Sequence, residues 1–331
     1  MIDLNVTNMR NLVENMQLIP AANQLDITVL ICTRNRGDSI QATIMSILDN
    51  THTRFELLIV DQSTNTCTAQ AVGALSHDPR IRYVNTNTQG LSIARNIGIA
   101  LSRSDLVIMT DDDCEVAPDW IDQMAAPFLQ HPHVGIVFCD VVAAPYDRRA
   151  GFVPVSLSAH PLLIEDLAHW QTCDGVNIGI GAGMAIRRSV AEAIGGFDTL
   201  FGPGGPFRNG DDIDFTLRAL AADHQIFRIN DVSVIHHGFR TFQENRALIR
   251  GAMYSAGAAY GRLIRCGQWR AISYYIAMFI AMVIVPIIEN LRHLQVPPVL
   301  GRAIWLVRGL VEGFRAPPRE PTHNNIKVVE V

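Results

Sequence analysis

Three adjacent carboxylates, Asp111-Asp112-Asp113, close the apolar run Leu106-Val107-Ile108-Met109-Thr110. That run reads as a buried strand. Like charges in contact repel, so a strand end is a poor place to leave three of them uncompensated. A hard divalent cation is the natural compensator, because Mg2+ and Mn2+ take oxygen ligands. In an open α/β sheet the carboxyl end of a strand is also where ligands bind. The competing reading is a solvated acidic turn ahead of the helix that Pro118-Asp119-Trp120 begins.

Four further groups could join such a site. Asp61 ends the apolar run 55–60, which would place it on the same sheet edge. A carboxylate there can accept hydrogen bonds from a base or ribose, or it can close a turn with Gln62-Ser63-Thr64. The segment Gly90-Leu91-Ser92-Ile93-Ala94-Arg95-Asn96 opens a helix. Its N-terminus can face an anion, and Arg95 can pair with a phosphate or a carboxylate, or remain a surface arginine. Gly210-Asp211-Asp212-Ile213-Asp214, with Arg218 behind it, starts an amphipathic helix. The helix dipole favours acids in a first turn, yet capping accounts for one of them and not three, which singles out Asp212. Last, His236-His237 follow the run 232–235. A histidine after a strand is often structural, but a neutral imidazole is a common metal ligand, and a site on Asp113 would need a third protein ligand.

These residues need a scaffold. Apolar runs predict strands over 27–32, 55–60, 81–84, 106–109 and 134–139. Helical spacing predicts helices from Asp38 or Ser39 to Leu48, over 67–75, over 90–101 and over 117–129. Strands alternating with helices mean βαβ units and a mainly parallel sheet. The turn Thr33-Arg34-Asn35-Arg36-Gly37 carries no GxGxxG, and no Walker A pattern occurs; Gly179, Gly181 and Gly183 lack the strand–turn–helix setting such a motif requires. Residues 141–175, with Pro145, Pro154 and Pro161, predict an irregular loop over the sheet. Beyond it come a strand over 183–186, a helix over 189–194, a Gly- and Pro-rich loop over 195–210, a helix over 212–221 and two short strands, 226–229 and 232–235. Helix then runs to about residue 265, and an amphipathic helix covers 304–314.

Composition narrows the class. The 331 residues are 48% hydrophobic, which excludes a disordered chain. Six cysteines without a CxxC pair predict reduced thiols in a cytosolic protein and no zinc site. Residues 1–23 are too polar throughout to read as a signal peptide. The net charge of −5 is uneven: residues 240–331 carry 12 basic and 5 acidic side chains, residues 1–239 carry 15 and 27. An acidic front disfavours nucleic acid as a partner. The basic rear holds the most apolar stretch, 271–288, which has no charge. It is near the lower length limit for a membrane-spanning helix, about 17–25 residues, and arginines on both sides favour an anionic lipid surface. Peripheral attachment at the cytoplasmic face is the expectation, with a buried helix or an oligomer interface as the alternative.

The ordered set Val29-Leu30-Ile31-Cys32-Thr33-Arg34-Asn35-Arg36, Leu58-Ile59-Val60-Asp61, Gly90 to Asn96, Thr110-Asp111-Asp112-Asp113, Gly195-Gly196-Phe197-Asp198 and Gly210-Asp211-Asp212-Ile213-Asp214-Phe215-Thr216-Leu217-Arg218 resembles the inverting family 2 glycosyltransferases, which have the GT-A fold. The resemblance covers about residues 26–240. It implies an α/β, Rossmann-like, mainly parallel sheet flanked by helices. It implies a nucleotide site drawn from Thr33, Arg34, Asn35, Arg36, Asp61, Arg95, Asp111 and Asp112. It implies Mn2+ or Mg2+ on Asp113, with Asp111 and with His236 or His237. Asp212 matches the general base of the family's acidic pair, and Asp211 stands where relatives usually have Glu. Transfer of a sugar from a UDP-, GDP- or dTDP-linked donor to a glycan or lipid-linked acceptor hydroxyl would follow. The rivals are a nucleotidyltransferase that makes the sugar nucleotide and a catalytically inactive nucleotide-sugar- or glycan-binding module. The expected layout is an N-terminal extension (1–25), a catalytic domain (26–240) whose nucleotide-sugar part ends near 140, a helical appendage (241–316) and a flexible tail (317–331).

Overall fold

A computed structural model describes residues 2–4, 27–172, 179–292, 300–319 and 326–330. Most of the 1–25 extension therefore lies outside the described residues. In chain order the elements are β1 (Ile2–Leu4), β2 (Ile27–Thr33), α1 (Gly37–Leu48), β3 (Phe55–Asp61), α2 (Cys67–Gly73), β4 (Ile81–Thr86), α3 (Leu91–Leu101), β5 (Leu106–Thr110), β6 (Cys114–Val116), α4 (Trp120–Gln130), β7 (Val134–Ala143), β8 (Gly151–Phe152), β9 (Leu162–Ile164), α5 (Leu167–Thr172), β10 (Met184–Arg187), α6 (Arg188–Ile194), α7 (Asp211–Ala221), β11 (Gln225–His236), β12 (Arg240–Thr241), α8 (Phe242–Arg265), α9 (Ala271–Arg292), α10 (Leu300–Arg315) and β13 (Ile326–Glu330).

One large sheet runs β1-β13-β4-β3-β2-β5-β10-β7-β11-β6, and β9 also pairs with β11. Strands β4, β3, β2 and β5 are mutually parallel, as are β7 and β11; β10 is inserted antiparallel between β5 and β7. The period-2 alternation of a strand sends neighbouring residues to opposite faces. Leu30 and Leu58 pack with Ile97 and Leu101 of α3, while Val29, Ile31, Leu57 and Ile59 pack with Ile40, Ile44 and Ile47 of α1 and Trp120 and Met124 of α4. Both faces are covered, so the central strands are mostly apolar, and the buried exceptions Thr28 and Glu56 bond to each other.

Several boundaries differ from the expectation. Neither Asp38 nor Ser39 caps α1, which starts at Gly37. The segment after the acidic triplet is the strand β6 before it is a helix, because Cys114–Val116 pairs with the end of β11. The two strands expected over 226–235 are one, β11, with an irregular register between Arg228 and Ser233. The stretch expected as an irregular loop contains β8, β9 and α5. In the span expected to be a flexible tail, Ile326–Glu330 is a strand on the outer edge of β4. The run Ile326-Lys327-Val328-Val329 is rich in β-branched residues, which suit that position, and it covers an edge that would otherwise be open.

The C-terminal helices follow the sheet domain as expected and are tied back to it. Thr241 and Glu244 form a capping box that starts α8. Ideal Cβ atoms on Gly257 and Gly261 of α8 would lie 2.1 and 2.2 Å from the Leu306 and Leu310 carbonyl oxygens of α10. Those on Gly309 and Gly313 would lie 2.0 and 2.2 Å from the Tyr254 and Ala258 oxygens. Glycine on both helices is what lets the two backbones touch. The hairpin is bolted to the sheet domain through Asp198. Gly195 and Gly196, at φ 79° and 73°, turn the chain out of α6, a conformation that glycine adopts without strain. The turn buries Asp198, which accepts from Arg262 Nε at 2.5 Å and Arg319 Nε at 3.0 Å.

Removing one partner of a buried pair leaves the other charge unmet, at a cost of about 3–5 kcal/mol. Asp198→Ala is therefore expected to lower unfolding free energy by about that amount, read as a fall in the urea midpoint.

Candidate functional site

The ligand edge follows from strand register. Ile31 of β2 lies beside Thr110 of β5, so Thr33 arrives level with the acids beyond β5. Its hydroxyl donates to Asp112 Oδ2 at 2.6 Å. Burial pushes the Asp112 carboxyl up to about 6, against that hydrogen bond, which pulls it down. β10 begins beside the end of β5, which brings the turn Gly181–Gly183 to the same edge. A cleft of about 570 Å³ opens there. Thr33, Arg34, Arg36, Arg95, Asp111, Asp112, Asp113, Asp211, Asp212 and His236 all line it.

Arg95 organises one side of it. The guanidinium is buried, bonded through Nη1 to Asp211 and 3.7 Å from Asp111. Burial opposes its charge, but Asp211 and Asp111 outweigh burial and raise its affinity for the proton. Gly181 makes the space: a Cβ there would sit 2.2 Å from Arg95 Nη2. Asp211 is thus committed to Arg95. Asp212, one residue on, points into the cleft, where Oδ2 accepts from the Gly181 N–H at 3.2 Å. Burial, then the adjacent Asp211 charge, push Asp212 up to about 6.

The other side is a compact donor set. Asp113, Cys114 and His236 offer an oxygen, a sulfur and a nitrogen within 4.8 Å of one another. Pairing of β6 with β11 sets Cys114 opposite His236. The His236 Nε2 lies 3.4 Å from Asp113 Oδ1, and Nδ1 lies 3.1 Å from the Pro154 carbonyl. With Nδ1 on that carbonyl, Nε2 is the nitrogen that faces Asp113; burial opposes a positive ring, but the Asp113 carboxylate outweighs burial and raises the proton affinity of His236. Burial presses Asp113 upward, but the hydrogen bond with His236 and the charges of His236, Arg36 and Arg240 hold it below the usual carboxylate range. A carboxylate and an imidazole, with Asp111 close by, suit a divalent cation such as Mn2+.

Three expected residues are elsewhere. Asp61 is fully buried and outside the cleft lining; Tyr83 Oη donates to it at 2.6 Å and the Ser63 N–H at 2.8 Å. Its place opposite Asn85, inside the β3–β4 pair, turns the carboxylate into the fold. Asn35, at φ 57°, takes the Thr64 N–H and pins one loop to another. His237 faces Glu115 at 2.8 Å and contributes its backbone N–H to the Asp113 carbonyl. Other lining residues escaped the sequence reading. Gly179–Ala182 forms one wall, and Leu248, Ala252, Met253 and Ala256 of α8 form another. The α8 residues carry no polar signal; only their recurrence at three and four residues could have marked a shared face.

Comparison with known proteins decides the family. The model of glycosyl transferase family 2 matches residues 28–195. The chain belongs to glycosyl transferase family 2. A glucosyl-dolichyl phosphate glucuronosyltransferase of Haloferax volcanii is 26% identical over 187 residues, 53% of this chain and 56% of that protein. YwdF, an uncharacterized glycosyltransferase of Bacillus subtilis, is 28% identical over 232 residues, 69% of this chain and 80% of that one. The match thus spans little more than half of the haloarchaeal relative. Among solved structures, residues 1–349 of TarS from S. aureus superpose with a TM-score of 0.58 at 14% identity, over 87% of this chain and 81% of that one. The mannosyltransferase PcManGT from Pyrobaculum calidifontis, solved with GDP-Man and Mn2+, gives 0.57 at 17% identity, over 93% and 95%. The fold is of the GT-A type.

Gly181→Ala must displace the Arg95 guanidinium. An overpacking cost of about 1–3 kcal/mol is expected, measured by urea unfolding. Gly73→Ala, whose Cβ would meet nothing within 4 Å, is the control and should be neutral or stabilising.

Proposed function

We propose that this glycosyltransferase moves a hexose from a UDP-, GDP- or dTDP-linked donor to an acceptor hydroxyl, with inversion at the anomeric carbon. The observation that carries the reading is the position of Asp212: a carboxylate of raised proton affinity, held by Gly181, in the same cleft as Asp111 and Asp113. A base with no obvious nucleophile among the described cleft residues suits a single in-line displacement. Thr33, Arg34, Arg36 and Asp112 flank the donor's nucleotide. Asp113, Asp111 and His236 hold Mn2+ or Mg2+, which supplies positive charge to the diphosphate leaving group. Asp212 takes the acceptor's proton. Arg95 keeps Asp211 in place beside it.

We assign residues 26–140 to the donor and 141–240 to the acceptor, with α8 extending the acceptor side. The acceptor is a glycan or a lipid-linked intermediate, and the reaction belongs to the cytoplasm, at the inner face of the membrane.

The first test is metal removal. EDTA should abolish transfer and Mn2+ or Mg2+ should restore it; full activity in excess EDTA would refute the cation. Asp113→Ala should weaken nucleotide binding as well as turnover. Run over a panel of nucleotide sugars, the same assay identifies the donor.

The second concerns the base. Asp212→Asn keeps the shape but accepts no proton, so turnover should fall about 10²–10⁴-fold while nucleotide affinity stays near wild type. A base must be ionised to act. Because burial and Asp211 raise Asp212 to about 6, kcat/KM should climb with pH through that value and level off above it. A crippled Asp211→Asn beside an active Asp212→Asn would reverse the two roles.

A further inference from the structure

The most apolar part of the chain is also among the least covered. α9 has the length and composition of a membrane-crossing helix, yet only 17% of that stretch is buried. Ile272, Ile276, Ile280, Ile284 and Ile288 recur every four residues and are 39–51% exposed. Residues four apart share a helix face, so they form one stripe roughly 24 Å long at 1.5 Å per residue. Ile304, Val307, Val311 and Phe314 add an exposed stripe on α10, at spacings of three and four. Apolar surface of this extent marks a contact site.

The opposite side of α9 shows how it meets its partner. Val283 is 1% exposed and packs in one cluster with Met253 and Ala256 of α8 and Leu306 of α10. Met253 and Ala256 also line the catalytic cleft. A helix clamped along one side to the wall of an aqueous cleft cannot be surrounded by lipid, so it lies along a membrane rather than through it. Charge then selects the lipid. Arg265 and Arg270 precede α9, Arg292 ends it and Arg315 ends α10, all exposed; α9 itself holds one acid, Glu289, and Glu312 on α10 is paired with Arg308. Guanidinium groups match phosphate geometry.

We propose that α9 lies in the headgroup layer of an anionic bilayer, with its isoleucine stripe in the acyl boundary and its arginines on lipid phosphates. This holds whatever sugar the cleft transfers.

The test is co-sedimentation of the full chain with vesicles of phosphatidylcholine, alone or mixed with phosphatidylglycerol. The chain should pellet with the anionic vesicles, about tenfold more weakly with neutral ones, and less in high salt. Ile276→Glu with Ile280→Glu should reduce binding about tenfold or more, with circular dichroism and nucleoside-diphosphate binding unchanged. Arg270→Gln with Arg292→Gln, which leaves the packed face alone, should remove the preference for anionic lipid. The proposal fails if the full chain stays in the supernatant with anionic vesicles. It fails if the chain is an oligomer that the glutamate pair dissociates, since the face would then cover a second copy. It also fails if neutral vesicles bind as well at every salt, which would signify insertion.

Discussion

Five carboxylates, Asp111, Asp112, Asp113, Asp211 and Asp212, converge on one cleft, and their mutual repulsion is the constraint the rest of the site answers. Arg95 does most of the answering from beneath, tied to Asp211 and close to Asp111. A buried guanidinium is costly by itself, so it persists because acids on two separate elements claim it. The arrangement demands that α3, the end of β5, the Gly181 turn and the start of α7 be held in fixed relation. The antiparallel insertion of β10 between β5 and β7 is what brings the last two to the first.

Two environments then separate acids of the same type. Asp113 faces His236 and nearby arginines and stays ionised below the usual range. Asp212 is half-buried beside another acid, and its proton affinity rises. Neighbours with opposite tendencies can divide labour, one bearing charge and the other exchanging a proton. Asp211 is instead bonded through Oδ2 to the Arg95 guanidinium.

Much of this was legible in the chain. The apolar run ending at Thr110 put the acidic triplet at a strand end, and the strand–helix alternation implied a largely parallel sheet. What escaped has physical causes. Asp61 looks like Asp111 in sequence, since each closes an apolar strand; only the Tyr83 hydroxyl, brought by strand pairing, turns one inward. β6 is three residues long, too short for periodicity to show, and exists because β11 extends far enough to pair with it. Leu248, Ala252, Met253 and Ala256 are ordinary helix residues until α8 is placed against the cleft. β13 depends on an edge of β4 more than 200 positions earlier in the chain, which no local pattern reveals.

The Asp198 cluster carries a consequence for the order in which the molecule is made. Asp198 and Asp214 are buried carboxylates whose partners include Arg262 and Arg319. A chain leaving the ribosome presents both acids, and the helix bearing Asp211 and Asp212, well before Arg262 and Arg319 have been synthesised. Until then Asp214 has Arg218 of its own helix, but Asp198 lacks both guanidinium partners where the core must close. Domains fold as units, N-terminal parts first, but here an early part waits for a later one. Closing of the core around Asp198 is thereby tied to synthesis of Arg262 and Arg319, 64 and 121 positions further along the chain.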